Sequence, residues 1–230
     1  MSIQAAMFAV EKPWLLLDAS GVTARTGVWQ NSRWLGWQEG EAPALESLFA
    51  GTRAALAAAQ TPWQELGGYL YVDGPGSVLG LRLAAMAIRA WQTDDAARSQ
   101  GEARPVYSAG SLPLAAALAL AAGEKPPFTL FTDAKQGFWQ ILEITTADPE
   151  KYCATAPREI LEADLPAGTL FHLPARKAWH RAPERARTLP ASLRDHPEIL
   201  ALPHLFRKVK TPTPYAVRAP EYKKWAGALA

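Results

Sequence analysis

The spacing of apolar positions changes several times along the chain, and each change marks an element. Trp14 to Asp18 is a short apolar run closed by an acid, which predicts a buried strand. Ala19-Ser20-Gly21 predicts a turn. Thr26 to Gln30 and Trp34 to Gln38 are strand-like runs separated by Asn31-Ser32-Arg33, the spacing of a hairpin, so the three runs predict an antiparallel meander. The period then lengthens. Leu45, Leu48, Phe49, Thr52 and Leu56 fall on one face of a helix over residues 43–59, with Pro43 in its first turn. Gly67-Gly68 marks a bend and Tyr69 to Val72 a strand. Asp73 to Ser77 is a tight loop, and Ser77 is placed to cap a helix running to about Gln92. Thr93 to Arg104 reads as a polar surface loop. Val106 to Ser108 reads as a strand and Ser111 to Ala122 as an Ala/Leu helix with Pro113 in its first turn. Pro126-Pro127 breaks the chain. Phe128 to Asp133 and Phe138 to Thr145 predict a hairpin around Ala134 to Gly137, and Thr169 to Leu173 a short strand. Residues 174–214 carry no assignable pattern, and Glu221 to Leu229 reads as a terminal helix.

The helix after the glycine loop is apolar on two sides. Leu79, Leu83, Met86 and Ala90 form one stripe, and Leu81, Ala84, Ile88 and Trp91 a second. Between Leu79 and Trp91 the only large polar side chains are Arg82 and Arg89, seven apart. A surface helix needs a single apolar stripe. Two imply cover on both sides, either from the same chain or from a partner. The small residues Ala50, Gly51, Ala54, Ala55 and Ala58 of the preceding helix would allow close approach of a neighbour.

With 230 residues, 49% of them hydrophobic and 20% charged, the chain has material for a real core, which excludes a mainly disordered protein. The single cysteine, Cys153, excludes a disulfide framework and a Cys-based zinc site. No apolar run nears the roughly 20 residues of a membrane span, and Met1 to Val10 lacks the basic residues of a signal peptide, so a soluble cytoplasmic protein is expected. The net charge of +2 hides a split: residues 1–150 hold 10 Lys+Arg against 15 Asp+Glu, residues 151–230 hold 14 against 7. The basic end could face an acidic partner or RNA, but its basic residues are spread out, with only Arg207, Lys208 and Lys210 bunched, and no RNA-binding motif accompanies them.

Candidate chemistry is sparse. Gly74 to Arg82 lies between a strand and a helix, where backbone N–H groups attract anions. Its third glycine comes one residue late for a dinucleotide fingerprint, no Lys follows as in a Walker loop, and Pro75 lacks a donor. The structural reading fits better: Gly74 and Gly76 for a sharp turn, Ser77 as cap, Gly80 for close packing. Asp18 and Asp73 both end strands and could pair on a metal, or simply shape turns. His172, His180, His196 and His204 form no metal-binding pattern, and no Gly-x-Ser-x-Gly elbow is present. Cys153 reads as a small buried residue. Of the nine tryptophans, Trp14, Trp29, Trp34, Trp37 and Trp139 belong with the strands, while Trp91 and Trp225 on helices are candidate interface anchors. No catalytic residue, metal or cofactor is assigned.

The same residues resemble the TsaB (YeaZ) family. Leu15 to Ser20 looks like its opening Asp-Thr-Ser strand. Gly74-Pro75-Gly76-Ser77-Val78-Leu79-Gly80-Leu81-Arg82 is similar to its Gly-Pro-Gly-Ser-Phe-Thr-Gly-Leu-Arg signature, with Val78 and Leu79 as departures. Val106 to Leu118 is similar to the family's strand-Ser-helix step. Thr132-Asp133-Ala134 with Gly137 resembles its Asp-Ala-Arg-x-Gly-Glu hairpin, with Lys135 for Arg, and Pro214 to Arg218 with Glu221-Tyr222 its closing segment. The resemblance implies a bilobal ribonuclease H-like (actin-like ATPase) α/β fold. It implies an N-terminal lobe over 1–124, a smaller, degenerate second lobe over 125–214, and a helix over 215–230 returning to the first lobe. It further implies a non-catalytic scaffold in making threonylcarbamoyladenosine in tRNA. Such a scaffold pairs with a TsaD-like catalytic subunit, is joined by a TsaE-like ATPase, forms a homodimer when alone, and touches tRNA only indirectly. Leu45, Leu48, Phe49, Leu79, Leu83, Met86, Ala87 and Trp91 are then the partner interface. The His-x-x-x-His metal motif of the catalytic relatives is missing from Pro43 to Ala59, which contains no His. An ATP-binding enzyme of the same superfold and an orphan self-associating domain are the alternatives.

Overall fold

The computed structural model describes residues 12–40, 44–173 and 181–215. Strands β1 (Trp14–Asp18), β2 (Ala24–Gln30) and β3 (Arg33–Gly40) form the meander, in which β2 and β3 each run longer than the apolar runs alone suggest. Asn31 and Ser32 at its tip take positive φ, 50° and 58°, the conformation that lets a two-residue turn follow the strand twist. Helix α1 (Ala44–Ala58) follows, then β4 (Gly68–Gly74), α2 (Val78–Arg98), β5 (Val106–Gly110) and α3 (Ser111–Ala121). Pro43 and the proposed terminal helix at Glu221 to Leu229 lie outside the described residues.

One six-stranded sheet collects these strands in the order β11-β5-β4-β1-β2-β3, where β11 is Arg207–Val209. β1, β4 and β5 are parallel, and β11 closes the edge antiparallel to β5. The second sheet has the order β10-β9-β6-β7-β8, built from β6 (Phe128–Asp133), β7 (Phe138–Ile144), β8 (Arg158–Leu161), β9 (Leu170–His172) and β10 (Arg187–Thr188). A short helix, α4 (Pro149–Ala154), is capped by Asp148, whose carboxylate accepts from the Glu150 N–H at 3.1 Å.

The alternation of side chains along the central strands sorts the helices. Leu15, Leu17, Tyr69, Tyr71 and Val106 face α1 and α2. Leu16, Leu70, Val72, Tyr107 and Ala109 face α3, and α3 meets Phe128, Leu130, Leu142 and Ile144 of the second sheet on its other side. α3 is therefore enclosed between two sheets, which is why it is apolar all round. One core runs through both lobes. Prolines recur at 183, 190, 197 and 203, and the indole N–H groups of Trp34 and Trp29 donate to the carbonyls of Leu193 (3.0 Å) and Pro197 (2.8 Å) and pin this stretch to the meander. The chain then rejoins the first sheet at β11, ahead of residue 215.

The polar stretch after Gln92 is helical to Arg98, which corrects the loop expected from Thr93 onward. Asp95 in that turn is buried. It accepts from the Tyr69 phenol at 2.8 Å and pairs with the Arg104 guanidinium, which also donates to the Leu66 carbonyl at 2.8 Å. The exposed pair Arg98–Asp94, four residues apart at 2.7 Å, supports the same turn from outside.

Candidate docking surface

The loop between β4 and α2 is locked by its own backbone. Gly74 has φ +118°, a conformation that disfavours any side chain. A Cβ on Gly76 would stand 2.2 Å from the Ser20 carbonyl oxygen, and one on Gly80 2.1 Å from that of Ala19. These glycines let α2 start in contact with the turn after β1. The Ser77 N–H donates to the Ser20 carbonyl at 2.7 Å, the Ser77 hydroxyl accepts from the Gly80 N–H at 3.3 Å, and the Ser111 hydroxyl donates to the Pro75 carbonyl at 2.5 Å. Two of the backbone donors at this helix start, the Ser77 and Gly80 N–H groups, are thus engaged inside the protein. Gly74, Pro75, Gly76, Ser77 and Gly80 form a structural hinge-pin between β1, β4 and the two following helices.

The same contacts fix the register of α2. Leu81, Ala84, Ala85 and Ile88 pack inward. The second stripe faces out: Leu79 is 65% and Met86 64% exposed, with Leu83 half-buried beside them and Val78 at the helix start 63% exposed. α1 lies alongside, presenting Ala50, Ala54, Ala57 and Ala58 to solvent. Phe49 and Trp91 join the two helices edge to face at 6.1 Å, and Trp91 continues onto Trp63 at 4.9 Å and Tyr69 at 5.8 Å. Leu48 and Ala87, named with the interface residues, are buried in the chain's own core, so they support this surface from beneath. The helical period shows which residues share a face but not which face meets the sheet, and for these two the inner face won. The side chain of Leu45 lies outside the described residues. Val78 is an addition; only its position beside the glycine loop could have pointed to it.

The strand-end acids do not converge. Asp18 accepts from the Ser20 N–H (3.0 Å) and hydroxyl (2.6 Å) and pairs with Arg25 at 3.1 Å, which is the work of a turn. Asp73 is buried and held by the Arg207 guanidinium from β11; desolvation outweighs that cation and raises its carboxyl above the ordinary range. No group of three or more His, Cys, Asp or Glu that could hold a metal occurs among the described residues. Asp73, Arg207 and Tyr215 line a cavity of about 540 Å³ at the carboxyl ends of β4 and β5, closed on the second-lobe side by Glu150, Cys153 and Pro157. Burial pushes the Cys153 thiol up to about 11, which favours its protonated form. No helix among the described residues is long and apolar enough to cross a membrane.

No family model matches the sequence, and no curated protein matches it. Solved structures do. A Pseudomonas aeruginosa protein described as uncharacterized, with similarity to peptidase YeaZ, superposes with a TM-score of 0.61 at 16% identity over 90% of this chain and 100% of its own. YeaZ from Pseudomonas aeruginosa gives 0.56 at 16% identity over the same shares of the two chains. Two mixed sheets with flanking helices, in this order and over these lengths, are the α/β ribonuclease H-like fold in the form that YeaZ has.

Proposed function

We propose that this chain is a non-catalytic scaffold that uses the outer face of α1 and α2 to pair with a TsaD-like catalytic subunit in threonylcarbamoyladenosine modification of tRNA, with a TsaE-like ATPase joining the pair. The observation that carries the reading is the outward-facing set of Val78, Leu79 and Met86, held beside a glycine loop that is tied to the turn after β1. Large aliphatic side chains two-thirds exposed on a firmly packed helix cost free energy in a free monomer and gain it on docking. The likeness of the fold to that of YeaZ supports the reading.

The test is co-purification with a TsaD-like protein of the same cell, comparing the natural chain with Met86→Asp, together with the threonylcarbamoyladenosine content of tRNA after the chain is depleted. Retention by the natural chain, loss with Met86→Asp and a fall in the modified nucleoside are expected. Unchanged modification after depletion would refute the tRNA role, and unchanged retention of Met86→Asp would refute the surface. The cavity beside Asp73 favours a second reading, an ATP-binding enzyme of the same superfold. Calorimetry with ATP and magnesium separates the two, since a scaffold alone gives little or no heat.

A further inference from the structure

Asp73 is a buried acid with only part of its hydrogen bonding supplied. It stands at the carboxyl end of β4, lines the cavity there and is 3% exposed. Its Oδ2 accepts from one nitrogen of the Arg207 guanidinium, which reaches in from β11. Its Oδ1 is buried and accepts no hydrogen bond among the described residues. The neighbouring Ser108 hydroxyl helps to hold the charge but stands outside hydrogen-bonding geometry. A buried carboxylate oxygen without a donor is rare and costly, and it calls for a donor from outside the chain.

The place is one where α/β sheets take ligands. α2, which follows β4, packs on one face of the sheet, and α3, which follows β5, packs on the other. A crevice therefore opens between the carboxyl ends of the two strands. The cavity in it, of about 540 Å³, has the size of a small-molecule site. Pro113, Ala156, Pro157, Leu205 and Tyr215 give it apolar and aromatic walls, and its lining sets two acids, Asp73 and Glu150, against one guanidinium, Arg207. A cation completes that balance. Arg207 itself fills the role poorly: its side chain is 60% exposed, and it serves one carboxylate oxygen through one nitrogen. A planar amidinium or guanidinium fork donates to both oxygens at once. A mostly exposed side chain can also leave without emptying a core site.

We infer that this cavity is a binding site for a small molecule carrying a flat amidinium or guanidinium group on an apolar body, with Asp73 as the recognition acid and Arg207 as an internal stand-in that the ligand displaces. The site lies apart from the α1/α2 face and does not rest on the scaffold reading. Benzamidine, its neutral isostere benzamide and its anionic isostere benzoate are titrated calorimetrically into the full chain at mildly alkaline pH, which favours the ionised carboxyl. Benzamidine should bind about tenfold or more tighter than benzamide, and benzoate should not bind. Arg207→Gln should tighten benzamidine several-fold, because the internal competitor is gone. Asp73→Asn should abolish binding. Ala156→Trp, at an exposed position on the apolar wall, should weaken it with Asp73 untouched, which keeps the test decisive where Asp73→Asn does not fold. Circular dichroism checks the fold of each variant. Benzamidine no tighter than benzamide, or no binding even in Arg207→Gln, overturns the inference. Unchanged or weaker binding in Arg207→Gln overturns the displacement. Binding that survives both Asp73→Asn and Ala156→Trp puts the probe elsewhere and overturns the site.

Discussion

Gly80→Ala sets two effects of known sign against each other. Glycine in a helix is worse than alanine by up to about 1 kcal/mol, so propensity alone would make the variant more stable. The structure opposes this. The added Cβ would lie 2.1 Å from the Ala19 carbonyl oxygen and 3.1 Å from its carbon. An ordinary carbon–oxygen contact is near 3.3 Å, so the helix start and the turn must part by roughly 1 Å. Neither can move freely, because the Ser77 N–H is bonded to the neighbouring Ser20 carbonyl at 2.7 Å. Overpacking against fixed backbone costs about 1–3 kcal/mol, and the rigid neighbours place this site in the upper half of that range. After the propensity gain the variant should be about 1–2 kcal/mol less stable, a fall of roughly 2–8 °C in Tm for a chain of this size. Urea denaturation followed by circular dichroism measures it directly. Gly51→Ala in α1 is the internal comparison, since its Cβ meets a side-chain hydroxyl, Thr26 Oγ1, at 2.8 Å rather than backbone; it should lose less. A Gly80→Ala protein as stable as the natural one would refute the argument that this glycine exists for close approach.

Leu48→Ala should cost about 2–5 kcal/mol while Met86→Ala stays within about 0.5 kcal/mol, because the first empties a core site and the second trims a surface side chain; thermal denaturation of both variants checks the assignment of inner and outer faces. Asp95→Asn should cost about 3 kcal/mol or more by leaving the mostly buried Arg104 guanidinium without its carboxylate, and adding Arg104→Gln should return part of it, read from a double-mutant cycle in urea. Alkylation of Cys153 in the folded chain should follow a titration midpoint near 11, against an ordinary thiol value of 9.0. Since the folded-state value is raised, the stability tied to the neutral thiol is present below the unfolded value and is lost as pH rises through the folded one; a midpoint near the ordinary value would show that the thiol is not shielded.

Much of this architecture could be read from residue order. The meander, the two helices and the glycine loop announce themselves because each has a period and a punctuation mark that local physics explains. The end of α2 could not be found that way. Thr93-Asp94-Asp95 looks like surface, and Asp95 becomes a helix residue only through Tyr69 and Arg104, which neither lie on its helix nor share its period. β11 is three residues, two of them exposed and basic, and it is a strand because the free edge of β5 recruits it. Leu48 and Leu79 show the same limit from the side of function: two leucines on amphipathic helices, one at 0% and one at 65% exposure. Periodicity alone could not distinguish them, because that depends on which stripe the β1 turn draws inward through Gly80.

α3 supplies the contrast that gives the outer face of α2 its meaning. Both helices are apolar on more than one side. For α3 the chain accounts for every side, with the first sheet on one face and Phe128, Leu130, Leu142 and Ile144 on the other. For α2 it accounts for one: the inner stripe packs with Leu17, Tyr69 and Tyr71, while Leu79 and Met86 of the outer stripe stay exposed. A helix whose outer surface served only solubility would carry Glu, Lys or Gln there at no cost to packing or helix propensity. Leu79 and Met86 instead occupy those positions, and the charges between them are arginines, which among cations best combine apolar contact with carboxylate binding. If the stripe serves docking, replacing Leu79 and Met86 by Lys should raise solubility and leave the unfolding midpoint unchanged while removing partner binding. If it serves only the monomer, stability should fall instead.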